Sequence, residues 1–293
     1  MLSLRKIDLV ENVDLRKLCT IKIGGIGKHI FFPKTMEEFK IIQTEAFEKN
    51  KKIYILGIGS NVIFKDGILD HYFISTRKFK FLKYWDKGNE VYIHASAGIS
   101  FKEILSLVKE KNLEGFEKLA GIPATIGGAI TMNAGAFGVE IFDILEKVYW
   151  LNKQGEIVES HKNSINHSYR YTDFQKEGIV LSAILKLKKS KKPIKEIIKK
   201  IILDRNKKQP VNVPTSGSTY KNHKQYPAGF LLEKSGLKGY RIGDIGFSEK
   251  HANFLINYGN ANYTDLMKLL EHAENLVKSN FNIELQKEVK IIG

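Results

Sequence analysis

Short apolar runs broken by polar residues dominate the first part of the chain. KHIFF (28–32), IYIL (53–56), VIF (62–64) and YFIS (72–75) are each bounded by glycine, proline or charge, the pattern of short buried strands. One helical period interrupts them, starting after Thr35 and running to about Lys49. Thr35 with Glu38 three residues later is a capping box, which fixes that helix start locally. Alternation returns in KFLKYW (80–85) and VYIHAS (91–96), and SFKE (100–103) opens a second capped helix ending near Asn112. VYWL (148–151) and IVLSAILKL (179–187) add further strands. In KKSKKP (188–193) charge and proline replace periodic apolar positions, which marks a boundary. Beyond it the pattern predicts a helix to about Lys208, a turn at PVNVPTSG, a strand at GSTYKN (217–222), helices at AGFLLEKSG (228–236) and from Thr264 to Ser279, and a last buried strand at VKII (289–292). No internal repeat is present. The expected organisation is 1–76 and 77–190 as two strand-and-helix units sharing a ligand, then 191–293 as a separate α+β domain.

Two stretches depart from this periodicity. In GIPATIGGAITMNAGAFG (121–138) nine of eighteen residues are Gly or Ala, too small to make a core. Successive main-chain N–H groups in such turns form a concavity suited to anions, so a diphosphate cradle is one reading and a tightly packed turn with a short helix is the other. ILGIGSNVIFKDG (55–67) is a buried strand ending in a glycine turn. Gly57 and Gly59 fit the first positions of the dinucleotide fingerprint GxGxxG, but Val62 stands at the sixth and a strand follows, so a Rossmann site is excluded on context. No GxxxxGK[ST] occurs, which removes a P-loop hydrolase.

Composition narrows the function classes. With 293 residues, 43% of them hydrophobic, the chain can fill two or three cores. No apolar run is long enough to span a membrane, and the first residues lack a secretory pattern, so a cytoplasmic protein with no membrane insertion is expected. The single cysteine, Cys19, excludes an internal disulfide and reads as an ordinary buried thiol. The net charge of +15 invites nucleic acid, yet only six of the 47 basic residues are Arg and the lysines are scattered. No nucleic-acid partner is expected; a diffuse positive field favours small anionic substrates. The histidines show no metal-binding spacing, so no metal site is expected.

In order, TIKIGG (20–25), LGIGSN (56–61), GIPATIGGAITMNAGAFG, YRYTDF (169–174), GSTYKN, AGFLLEKSGLKGYRIGDIGFSEKHANFLIN (228–257) and EVKIIG (288–293) resemble the UDP-N-acetylenolpyruvoylglucosamine reductases, from about residue 20 to the end. The resemblance implies a vanillyl-alcohol-oxidase-like two-part FAD-binding fold followed by an α+β substrate-binding domain. It implies a monomeric enzyme of cell-wall synthesis that uses NADPH, through FAD, to reduce UDP-N-acetylglucosamine enolpyruvate to UDP-N-acetylmuramate. The expected cofactor contacts are Gly57, Gly59, Ser60 and Asn61 in the first loop, and Gly121, Thr125, Gly127, Gly128, Asn133 and Gly135 in the second. Ile58 breaks the family's usual glycine triplet and must take an ordinary φ; His223 replaces a common proline and is expected to loosen the turn after GSTYKN. Keeping SEKHA (248–252), the chain looks like the compact branch, without the longer loop that brings a tyrosine to the substrate.

Enolpyruvyl reduction adds a hydride at the methylene carbon, develops an enolate on the carboxylate side and needs one proton at the neighbouring carbon. The protein must therefore supply charge stabilisation and an acid. Arg170 can fork onto a carboxylate as a lysine cannot; as a bare residue it is equally a structural salt bridge. The resemblance makes Arg170 catalytic, Ser218 the proton donor and Glu288 the third catalytic residue. In a regular GSTYKN strand, Ser218, Tyr220 and Asn222 would share one face and Thr219 and Lys221 the other. Glu288 precedes a buried strand, so its carboxylate needs a partner such as Arg170 or a proton. Tyr220, Lys221, Asn222, Arg241 and His251 are the expected substrate contacts, His251 being on its own more readily a structural histidine. Another FAD oxidoreductase of this fold, or a basic binding protein with merely structural glycine loops, are the competing readings.

Overall fold

A computed structural model describes residues 4–293. Contacts gather the chain into two compact units. One comprises the residues up to Glu11 with His29–Gly57 and His71–Asp204; the other comprises Asn12–Lys28, Ile58–Asp70 and Arg205–Gly293.

In the first unit the sheet order is Ile157–His161, Leu145–Asn152, Gly178–Lys189, Glu90–Ser96, Leu82–Lys87, with Leu113–Glu114 pairing the end of the central strand. All these pairings are antiparallel, and Val148, Ala183, Ala95 and Leu82 stand in one row across it. The helices are α1 (Met36–Glu48), α2 (Phe101–Glu110), α3 (Ile126–Thr131), α4 (Ile141–Ile144), α5 (Phe174–Glu177) and α6 (Ile194–Lys208), the last running on past the unit's end. Both predicted capping boxes are present, Thr35 with Glu38 on α1 and Ser100 with Glu103 on α2. One core joins α2 and α3 to Ile93, Ala95, Val148, Ala183 and Leu185, and a second joins Phe39, Ile42 and Ala46 of α1 to Ile74, Leu151, Ile179 and Leu181. Gly178–Lys189 contributes to both cores, which is why Ile179 to Leu185 are all buried and why IVLSAILKL lacks the alternation of a one-sided strand.

The second unit pairs Val62–Phe64 in parallel with Lys290–Ile292, Ile63 opposite Ile291. It also holds a four-stranded antiparallel sheet in the order Thr215–Ser218, Phe254–Asn257, Ile245–Phe247, Arg241–Ile242. Helix α7 (Ala228–Lys234) and helix α8 (Tyr263–Phe281) complete it. Helix α8 buries Leu266, Leu269, Leu270, Ala273 and Val277 on one face, starts on the Asn262 side chain and ends at left-handed Asn282, slightly longer at both ends than its sequence pattern suggests. The GSTYKN strand is shorter than expected. It stops at Ser218, with a register shift between Thr215 and Ser218 where Gly217 takes φ +73°, and beyond it Tyr220 makes only an isolated bridge to Lys287. Ser218, Tyr220 and Asn222 therefore do not share a strand face. Among the described residues no helix is long and apolar enough to cross a membrane.

Phe101 is 1% exposed and meets Phe116 edge-on at 4.9 Å, whereas Phe47 is 87% exposed. Truncating Phe101 to Ala should cost about 3–5 kcal/mol through lost burial and the cavity left behind, and Phe47→Ala less than about 0.5 kcal/mol. Urea unfolding of both variants checks this; equal losses would contradict the assignment of the α2 core.

Candidate functional site

In the first unit the site residues are built around α3. Thr125 precedes that helix and accepts the Gly128 N–H at 3.4 Å, while Ile126 donates to Ile99 at 2.8 Å and Gly127 to Ala97 at 3.0 Å. These bonds seat the helix start on the end of the Glu90–Ser96 strand. Gly127 is buried and is glycine for packing, since a Cβ there would stand 2.7 Å from that of Ala97. Gly128 is exposed, and a Cβ there would meet only Thr125 Oγ1 at 3.5 Å. The chain's own packing thus does not require glycine at 128. Gly57 arrives at the same place: its Cβ would lie 2.4 Å from Thr125 Oγ1, so the two glycine stretches touch there. Gly121 lies exposed ahead of the helix, and Gly135 packs closely on Val139 and Glu140.

Asn133 follows α3, fully buried. Its Nδ2 donates to Glu140 Oε2 at 2.6 Å and to the Ser168 carbonyl at 3.0 Å; its Oδ1 has no hydrogen-bond partner among the described residues. Through Ser168, Asn133 holds the small hairpin His167–Ser168/Tyr171–Thr172, whose turn is Tyr169–Arg170. Arg170 takes φ +56°, a conformation that is strained for any side chain with a Cβ. Its guanidinium spans the Asn133 carbonyl (Nη1, 3.3 Å) and the Gly135 carbonyl (Nη2, 3.0 Å) and lies 4.8 Å over the Tyr169 ring. Gln175 fixes the turn from behind, donating to the carbonyls of Arg170 and Thr131. The Arg170 guanidinium is thus directed at two carbonyls of the glycine stretch, not at a carboxylate as expected from its fork.

A different group forms in the second unit. Gly59 is left-handed (φ +77°) and packs on the Leu18 carbonyl, which any Cβ would strike, while Ile58 keeps an ordinary φ as expected. The Gly59 carbonyl accepts Thr20 N–H at 3.0 Å, and Thr20 Oγ1 donates to Thr215 at 2.5 Å, bringing the loop to the strand that ends in Ser218. Ser60 is half-buried there, its carbonyl 3.8 Å from where a Cβ on Gly217 would stand. Thr219 donates to Asn253 at 2.8 Å, and the Asn253 side chain brackets Tyr220 by accepting its N–H (2.9 Å) and donating to its carbonyl (2.8 Å).

The Thr219 carbonyl accepts the N–H of Glu288 at 2.8 Å, so Ser218 and Glu288 sit on one main-chain frame. Glu288 is half-buried, and its charge acts on Lys290. Desolvation and the Lys221 ammonium lower the Lys290 pKa, with Glu288 working the other way.

The expected substrate contacts divide. Tyr220 is completely enclosed, its phenol 3.1 Å from Glu274 Oε1 under α8, and burial raises its pKa. It is a core residue because the strand has ended before it. Asn222 is exposed and caps α7 by accepting Ala228 N–H at 3.0 Å; Lys221 is half-buried beside Lys290. Arg241 is exposed and stacks on Tyr258. His251 is half-buried: Nδ1 accepts Asn253 N–H at 3.2 Å, and desolvation lowers its pKa, which keeps it neutral. His223 donates its N–H to the Tyr226 carbonyl and accepts Gln225 N–H on Nδ1, neither of which a proline could do. The positioning residues Thr20, Asn253 and Lys290 escape sequence reasoning; only their places within TIKIGG, SEKHANFLIN and EVKIIG signal them.

An exposed, open Gly128 at the start of α3 and, after the helix, a buried Asn133 amide oxygen without a partner fit a ligand that approaches the backbone closely and carries a hydrogen-bond donor. In comparison with known proteins, an FAD binding domain profile matches residues 27–161. The profile of the UDP-N-acetylenolpyruvoylglucosamine reductase C-terminal domain matches 209–292. The UDP-N-acetylenolpyruvoylglucosamine reductase of Aquifex aeolicus is 40% identical over 97% of this chain and 95% of its own, and that of Clostridium tetani 37% identical over 97% and 93%. The solved reductase of Thermus caldophilus superposes with a TM-score of 0.81 at 28% identity, covering 98% of this chain and 99% of that one. Cholesterol oxidase from B. sterolicum shares the fold alone, with a TM-score of 0.50 at 14% identity over 63% of this chain and 38% of its own. These likenesses establish the expected α+β, vanillyl-alcohol-oxidase-like FAD-binding fold. The chain belongs to the UDP-N-acetylenolpyruvoylglucosamine reductase family.

Proposed function

We propose that this protein reduces UDP-N-acetylglucosamine enolpyruvate to UDP-N-acetylmuramate with NADPH as reductant, in the cytoplasm, as a step of peptidoglycan precursor synthesis. The observation that carries the reading is the frame around Thr219, which sets Ser218 and Glu288 on adjoining main-chain segments in a chain that matches such reductases along its length. FAD, when bound, supplies the hydride for the methylene carbon. Gly57, Gly59 and Ser60, with Gly121, Thr125, Gly127, Gly128, Asn133 and Gly135, would hold it, exposed Gly121 and Gly128 admitting its diphosphate to the backbone, the closely packed glycines fixing the loops, and Asn133 Oδ1 accepting a hydrogen bond.

Arg170 supplies positive charge for the substrate carboxylate as the enolate develops. Its two carbonyl bonds hold that charge in place before the substrate arrives, so little reorganisation is needed during reaction. Ser218 gives its hydroxyl proton to the carbon beside the carboxylate. A neutral hydroxyl is a weak acid, so this role demands close placement and rapid reprotonation, which is the use of the rigid frame. Glu288, in its protonated form, donates a hydrogen bond to the same developing negative charge, and Asn222, Lys221, Arg241 and His251 orient the sugar nucleotide.

Two measurements test this. Gly128→Val should leave a folded protein that no longer takes up FAD, because a side chain fits the unliganded structure there but fills the ligand's approach. Gly127→Ala, in contrast, should lower the melting temperature, because its methyl meets Ala97. A Gly128→Val variant with parental FAD affinity would remove the cradle assignment. In stopped flow, Ser218→Ala should bleach the flavin with NADPH at nearly the parental rate, while recovery of colour on adding the enolpyruvyl substrate slows by roughly 10² to 10⁴. Equal slowing of both phases would reduce Ser218 to a pocket support; no slowing of recovery would exclude it as the donor.

A further inference from the structure

Asn61 is expected from its motif to contact the cofactor, but its side chain is directed at the main chain of Glu288. Its Nδ2 donates to the Glu288 carbonyl at 3.3 Å, and its own carbonyl accepts the Lys290 N–H at 3.0 Å. One residue thus grips the chain on either side of Val289. From the other direction the Thr219 carbonyl accepts the N–H of Glu288 at 2.8 Å and that of Val289 at 3.3 Å. Both backbone polar groups of Glu288 are therefore committed, one to Thr219 and one to Asn61. The regular ladder with Val62–Phe64 begins only at Lys290, two residues beyond the bond from Asn61 to the Glu288 carbonyl. An amide is the side chain this place demands: a carboxylate of the same shape has no N–H to give.

We propose that Asn61 is a positioning residue for Glu288, fixing through its amide the direction in which the carboxylate leaves the main chain. The proposal rests on the catalytic reading of Glu288 given above. It also gives the loop that bears Gly59 and Ser60 a second duty, since any movement of that loop displaces Glu288 with it.

The test compares Asn61→Ala, Asn61→Asp, Glu288→Gln and the Asn61→Ala/Glu288→Gln double variant, each loaded with FAD. The expected results are unchanged FAD affinity by flavin fluorescence and unchanged bleaching by NADPH for both Asn61 variants. Recovery of colour with substrate should slow by about 10- to 100-fold, the usual consequence of a misplaced group. Asn61→Asp, which keeps the shape and loses the donor, should match Asn61→Ala and serves if the latter fails to fold. In the Glu288→Gln background the Ala substitution should add no more than about two-fold, because the two act on one group. Amide exchange at Glu288 and Val289 in the FAD-free protein should rise in the Asn61 variants alone. Parental recovery in the Asn61 variants beside slow recovery in Glu288→Gln overturns the proposal. So does a loss of FAD affinity of about ten-fold or more with both phases otherwise parental, which makes Asn61 a cofactor contact. Parental recovery in Glu288→Gln itself overturns the catalytic reading of Glu288 and the proposal with it.

Discussion

A single carbonyl, that of Thr219, ties the strand that ends in Ser218 to the segment that carries Glu288. It accepts two N–H groups from the C-terminal segment, while the Thr219 N–H is held by Asn253. Three stretches far apart in sequence, the loop at 59–61, the strand ending in Ser218 and the segment at 286–290, are joined by main-chain, amide and Thr20 hydroxyl bonds rather than by flexible charged side chains. Under the function proposed, the difference matters because a serine hydroxyl is a weak acid whose usefulness falls steeply with distance from the carbon it serves. The enclosed Tyr220, anchored at Glu274 with Lys287 on the same carboxylate, supports this frame from beneath.

The first unit solves a different problem, that of holding a charge against a loop of small residues. Arg170 occupies a turn position at φ +56° that glycine or asparagine would take at less cost. The strain is on the order of 1–2 kcal/mol. Two hydrogen bonds from a charged donor, worth about 1.5–3 kcal/mol each, exceed it. Strain of this kind persists where the surroundings over-determine it, and here Gln175, Asn133 and the hairpin do so.

What the sequence reveals depends on how far apart the interacting residues lie. Both capping boxes were legible because the partners are three residues apart, and the strands were legible because burial on one or two faces writes itself into apolar runs. GSTYKN misled because alternation presumes that the strand runs on, and this one ends at Ser218; Tyr220 then lies in the core instead of sharing a strand face with Ser218. Arg170 was legible as a fork by residue type, but its carbonyl targets lie 35 and 37 residues away and leave no local mark. The same holds for the amide of Asn61 and the carbonyl of Glu288, separated by 227 residues, and for Thr20 and Thr215, separated by 195. His223 shows the reverse error: a substitution for proline read as a lost constraint turned out to add a hydrogen bond.

The account stands or falls on the reaction itself. The direct measurement is NADPH oxidation by the purified, FAD-loaded protein with and without UDP-N-acetylglucosamine enolpyruvate, with the product identified. It predicts a yellow protein whose NADPH consumption requires the enolpyruvyl substrate and yields UDP-N-acetylmuramate in equal amount. A colourless protein that fails to take up FAD, or NADPH consumption indifferent to that substrate, would contradict it.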